Sequence, residues 1–156
     1  MRSYVVLALA VLVVGVAGAK PKEPEVKMTA DEPMAAQVQR VEAALRSEAY
    51  SEISLEDKGR VQQALGRIQQ KMEGHVLTGE LNAHDRTQVF NDQEVVNTIM
   101  TRAREDSRMV CRRERTTGSN MAQSVCMTVA QRRQAEANGR ALLNDHQRLN
   151  NFQPGS

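Results

Sequence analysis

The sequence has almost no aromatic residues: its 156 positions include no tryptophan, two tyrosines and two phenylalanines. A core must then be built from Val, Leu, Ile, Met and Ala, which bury less surface per side chain than aromatic rings do. The same shortage argues against a nucleic-acid surface, because no aromatics interleave with the arginines to stack bases. Cysteine occurs only at Cys111 and Cys126. A zinc site needs four ligands, and His75, His84 and His146 lie far apart without ligand spacing, so no metal and no other cofactor is expected. Also missing are a Gly-rich phosphate loop, a nucleophile elbow and a His pair at helical spacing. His84 beside Asp85 reads as a surface pair in the first turn of a helix. No nucleophile has a base next to it, so the chain reads as a non-enzyme without catalytic residues.

The one long apolar run, Tyr4 to Val16, follows Arg2 and leads into Ala17-Gly18-Ala19 and then Lys20-Pro21-Lys22. This pattern predicts a signal peptide over 1–19, cleaved after Ala19. A membrane span needs roughly 20 apolar residues, so no stable span is expected after cleavage. The implied location is periplasmic or secreted, where an even number of cysteines predicts a disulfide. Charge is unevenly spread. Residues 20–100 carry 10 basic and 14 acidic side chains, whereas 101–156 carry 10 basic, all Arg, and 5 acidic. Such a split serves internal pairing or a basic surface for an anionic partner.

Residues 20–28, "KPKEPEVKM", read as a flexible lead-in, and 150–156 as a disordered tail. Between them, 29–149 reads as a single small domain of mainly α class: three to four helices, comprising an N-terminal helical hairpin and a third helix, with one small disulfide-closed β-hairpin at about 109–128 before a polar C-terminal helix. Thr29 to Glu32 has capping-box spacing ahead of Pro33, and Met34, Val38, Val41 and Leu45 share one helical face. Ser54 to Asp57 repeats the signal, followed by Val61, Leu65, Ile68 and Met72, with Gly74 as the stop. The two stripes predict helices packed face to face across a short polar link, Ser47 to Ser54. Asn82 with Asp85 caps a third helix running to about Asp106. Its stripe is Val89, Val96, Met100 and Ala103, widened by Phe90, Val95 and Ile99 as for a helix packed on both earlier ones. Thr128 with Gln131 predicts a last capping box, opening a mostly solvated helix.

Between the third and last helices the 3.6-residue period gives way to a symmetry. A turn centred between Gly118 and Ser119 pairs Cys111 with Cys126, Arg112 with Val125, Arg113 with Ser124 and Glu114 with Gln123. Thr-Gly-Ser-Asn then occupies the tip, as turn chemistry favours. Bridged cysteines fit best at a closely spaced, non-hydrogen-bonded pair, which favours a four-residue loop from Thr117 to Asn120. Met109, Met121 and Met127 surround the bridge and thioethers suit Cu(I), but alternation separates Met109 from Met121 and Met127. The candidate binding groups are Arg112, Arg113 and Arg115 with Thr117, Ser119 and Asn120. They could grip phosphate or carboxylate groups of an anionic envelope polymer or an acidic protein. The structural alternative is that exposed charges merely keep the hairpin edges from pairing with other chains.

The run Val110-Cys111-Arg112-Arg113-Glu114, then Thr117-Gly118-Ser119, then Val125-Cys126-Met127-Thr128, preceded by "VFNDQEVVN", resembles a group of uncharacterised secreted proteobacterial proteins over about residues 86–133. The resemblance implies the hairpin and export and adds no chemistry. The function expected is a non-enzymatic interaction module presenting an Arg-rich stapled hairpin. The alternative is a helical chaperone or adaptor that binds partners through the apolar face of the third helix.

Overall fold

A computed structural model describes residues 25–115 and 117–150, with side chains to 148. The signal segment 1–19, residues 20–24 of the lead-in, Thr116 and residues 151–156 lie outside the described residues. The elements in chain order are α1 (Met34–Ala44), α2 (Leu55–Lys71), α3 (Ala83–Ser107), β1 (Met109–Arg115), β2 (Ala122–Thr128) and α4 (Val129–Asn150). The protein is mainly α with a single two-stranded antiparallel hairpin. α4 includes Asn150, the first residue of the expected tail.

The apolar stripes of the first three helices form the core. Val41, Val61, Ile68, Val89 and Met100 are fully buried and Val96 is 1% exposed. α2 begins at Ser54, whose side chain accepts a hydrogen bond from the Asp57 N–H at 3.0 Å, and α3 begins at Asn82, which does the same for Asp85 at 3.0 Å. Each cap satisfies one backbone donor that the first helical turn leaves without a partner. After α2 the chain reverses at Gly74, whose φ of +79° is open to glycine at little cost.

Four expectations are corrected. The Thr29–Glu32 capping box does not form, because Pro33 stands at the N-cap of α1 without a side-chain cap. Gln37 instead reaches back from α1, accepting from the Thr29 N–H at 2.6 Å and donating to the carbonyls of Thr29 and Glu32. Second, the link between α1 and α2 is not merely polar. It contains a 3-10 turn, Glu48–Tyr50, that packs on α3 and buries Tyr50, so α2 packs chiefly on α3 and less on α1. Third, residues 25–28 are not a loose lead-in: Met28 is buried, and its backbone is held on both sides by Asn97 of α3. The Met28 N–H donates to Asn97 Oδ1 at 2.7 Å and Asn97 Nδ2 donates to the Met28 carbonyl at 3.0 Å. Gln93 Nε2 adds a bond to the Thr29 carbonyl at 3.1 Å. Fourth, Phe90 does not widen the buried face of α3, since it is 56% exposed. The breadth of that face comes from buried Ile99 and half-buried Val95, as expected, together with Gln93 and Asn97, which bind this extended segment.

Three ion pairs tie α2 to α3 among the described residues, the first between Asp57 and Arg102 Nη2 at 2.5 Å. Arg67 grips Asp92 through Nη2 at 2.6 Å and Nε at 3.1 Å, and this hydrogen bonding raises the guanidinium pKa further. Lys71 in the last turn of α2 meets Asp85 in the first turn of α3 at 2.8 Å. Each charge also opposes the helix dipole at its own end.

Candidate anion-binding hairpin

Every expected partnership along the hairpin is found: Cys111 faces Cys126, Arg112 Val125, Arg113 Ser124 and Glu114 Gln123. The cysteines form a disulfide with Cα atoms 4.0 Å apart, the spacing of the narrow pair type. The last described pair is Arg115 with Ala122, and Gly118 at φ +87° turns the tip. The residue pair that would close a four-residue loop, Thr116 with Met121, includes a position outside the described residues.

Alternation along the strands gives the hairpin two unlike faces. The outer face carries Cys111, Arg113 and Arg115, with Cys126, Ser124 and Ala122 opposite, all exposed. The inner face carries Val110, Arg112 and Glu114, with Met127, Val125 and Gln123 opposite. Its lower part is half-buried at Val110, Val125 and Met127. Glu114 on this face accepts from Arg132 Nη1 of α4 at 3.1 Å. Arg132 is itself largely covered, and its Nε and Nη2 are buried without a hydrogen-bond partner among the described residues. Met109 lies on the outer face and Met127 on the inner, so the three methionines do not converge.

The joint below the hairpin is a complete capping box. Thr128 Oγ1 accepts from the Gln131 N–H at 3.1 Å and Gln131 Oε1 accepts from the Thr128 N–H at 3.3 Å. Glu52 of the body receives the Thr128 hydroxyl at 2.9 Å and Gln131 Nε2 at 3.2 Å, and its own N–H donates to Ser107 Oγ at 2.9 Å. One carboxylate therefore anchors the end of β2 and the start of α4 to the helical body. Nothing in the sequence pattern points to Glu52, which lies 76 residues from Thr128. Beyond its first turns α4 is exposed on all sides, including Leu142 and Leu143, as the sparse apolar spacing predicts.

The structure therefore brings together five of the six expected binding residues at the upper end of one element. Arg113 and Arg115 share the outer face with roughly 7 Å between successive positions of that face, and Thr117, Ser119 and Asn120 are exposed at the tip. Arg112 is the exception, since it projects from the inner face. None of the three arginines makes a side-chain hydrogen bond or ion pair among the described residues. Of the tip groups, Ser119 Oγ accepts from the Met121 N–H at 3.2 Å and keeps its own proton free to donate.

The other sequence candidates are distributed differently. Val89, Val96 and Met100 are consumed by the core, which leaves Phe90 as the exposed residue of that set. His84 lies against Gln88 while Asp85 is engaged by Lys71 and Asn82, so they do not act as a dyad. Among the described residues no three His, Cys, Asp or Glu side chains are placed to hold a metal ion, and no helix is long and apolar enough to cross a membrane. Comparison with protein-family models, with curated proteins and with solved structures gives no match.

Proposed function

We propose that the chain is an exported, periplasmic or secreted, non-enzymatic interaction module whose stapled hairpin holds an anionic envelope polymer or the acidic face of a protein. The observation that carries this reading is the contrast in how arginines are used. Among the described residues, Arg40, Arg60, Arg67, Arg102, Arg108, Arg132 and Arg133 are each paired with a carboxylate, whereas Arg46, Arg86, Arg140 and Arg148 stand apart from one another without one, and only the hairpin groups three such arginines on one short strand. Arg112, Arg113 and Arg115 are exposed and have no carboxylate partner among the described residues. Guanidinium groups bind phosphate and carboxylate through two parallel hydrogen bonds, and the tip hydroxyl and amide groups supply further donors. The disulfide supports the export reading, because such bonds persist in oxidising compartments. The resemblance to secreted proteobacterial proteins supports it as well.

The test is retention on phosphate-bearing and polyglutamate matrices at low and high salt. Arg112→Gln, Arg113→Gln and Arg115→Gln together should abolish salt-sensitive retention on at least one matrix and leave the circular dichroism spectrum unchanged. Equal retention of wild type and triple variant would reject the grip.

A further inference from the structure

The exposure of Phe90 marks a second site. One helical turn before it on α3 lies Arg86, which makes no side-chain hydrogen bond or ion pair among the described residues. Together with Ala30, Thr78, Thr87 and Gln93 they line a cavity of about 310 Å³. That is the small end of the range for ligand sites, roughly 300–1,000 Å³.

The remaining polar groups of this cavity are already engaged. Thr78 Oγ1 donates to the Ala30 carbonyl at 3.1 Å, Gln93 Nε2 to the Thr29 carbonyl at 3.1 Å and Thr87 Oγ1 to the Ala83 carbonyl at 2.8 Å. These bonds fix the walls and remove three donors from use by a ligand. Arg86 is left as the one uncommitted charged donor, beside an aromatic ring and the methyl groups of Ala30 and the threonines. In a chain so poor in aromatics, an exposed ring costs burial that the core could have used, at roughly 25 cal/mol for each Å².

We infer that this cavity binds an apolar group bearing a single carboxylate, with Arg86 taking the carboxylate and Phe90 covering the apolar part. A bidentate guanidinium contact fixes the orientation of a carboxylate, and a small apolar cavity seats one side chain's worth of carbon. The same chemistry is offered by the C-terminal residue of a polypeptide and by a free small acid. Charge favours an anion over a neutral ligand here, because no acidic side chain lines the cavity. The site is separate from the hairpin and does not depend on the hairpin's role.

The test uses amide resonances of the full chain during titration with three probes: N-acetyl-phenylalanine, its C-terminal amide, and a pentapeptide ending in phenylalanine with a free carboxylate. The acid should shift Thr78, Thr87, Phe90 and Gln93 saturably, and the amide should bind about tenfold more weakly, the loss expected for a charge-assisted hydrogen bond. Arg86→Gln, at an exposed position, should produce the same loss without altering the rest of the spectrum, and Phe90→Ser should weaken both acid and amide. Stronger binding by the pentapeptide than by the acid assigns the site to a polypeptide terminus, and binding of the acid alone assigns it to a small molecule. Absence of shifts at the cavity with every probe, or equal affinity of acid and amide, overturns the inference.

Discussion

The molecule consists of two regions built on different principles. Among the described residues, every buried apolar one lies between Met28 and Ala103, whereas from Arg108 to Arg148 the only buried side chain described is that of Thr128, a polar one. The body is held by interdigitated side chains taken out of water. The arm, made of the hairpin and α4, is held by a covalent bridge, a ladder of strand hydrogen bonds, a capping box and the carboxylates of Glu52 and of Asp106, which pairs with Arg133. Side chains committed to the core are withdrawn from contact with a partner, so in the body only surface positions such as Arg86 and Phe90 are open to one. The arm keeps Arg112, Arg113 and Arg115 in solvent because its shape is secured by other means.

The sharpest way to break this comparison is to delete volume from the body. Ile68 is fully buried on α2, and Ile68→Ala removes both the transfer free energy of its lost carbons and the contacts around the resulting cavity. The expected loss is about 2–5 kcal/mol, read as a fall in melting temperature and in the denaturant midpoint. An arm that depended on the same core would lose hairpin hydrogen-exchange protection in proportion, under conditions where the body remains folded. The separate construction predicts that it does not.

The converse change acts on the arm. Replacing Cys111 and Cys126 together by Ala opens a loop of 15 residues, worth roughly 3 kcal/mol in the chain-entropy model. Because the hairpin is attached to the body only near its base, most of that loss should appear as local opening. Exchange protection at Val110, Arg112 and Val125 should fall while the melting temperature drops less than for Ile68→Ala. A melting-temperature loss as large as that of the core variant would show that body and arm unfold together.

The two regions were also legible in the sequence to different degrees and for different reasons. In the body, stripes such as Val61, Leu65, Ile68 and Met72 gave the core residues directly, because a 3.6-residue period has one solution. Partner choice was less legible. A stripe says that a face is buried but not by what, so a link that reads as polar hides the buried Tyr50, and a segment that reads as a flexible lead-in hides the buried Met28. A signal was present in the second case: Gln93 and Asn97 interrupt the apolar face of α3, and buried amides at such positions imply a backbone to bind. Phe90 shows that hydrophobicity alone does not imply burial. In the arm, register was fully legible, since cysteine spacing, turn residues and strand alternation all allow the same pairing. Glu52 was not, as no local pattern connects it to Thr128.

The smallest effect separates the regions by pH. Asp85 accepts hydrogen bonds from Lys71 and Asn82, and these hold its carboxyl below the ordinary carboxylate value of about 4. A group whose folded pKa is lowered contributes stability above its unfolded value and loses it as pH falls through the folded one. The Lys71 contact should therefore support the body at neutral pH and fade below about pH 4. Asp85→Asn keeps the N-cap, because the backbone N–H that bonds Asn82 Oδ1 is unchanged, but removes the charge. The variant should be slightly less stable than wild type at pH 7, and the two should converge as the pH is lowered through the acid range. Salt should shrink the difference, since both partners are partly exposed. Hairpin exchange protection should be the same in both proteins at every pH, because neither Lys71 nor Asp85 touches the arm. A stability difference that persists at low pH would assign the effect to packing rather than charge, and a change at the hairpin would mean that the α2–α3 junction and the arm are coupled.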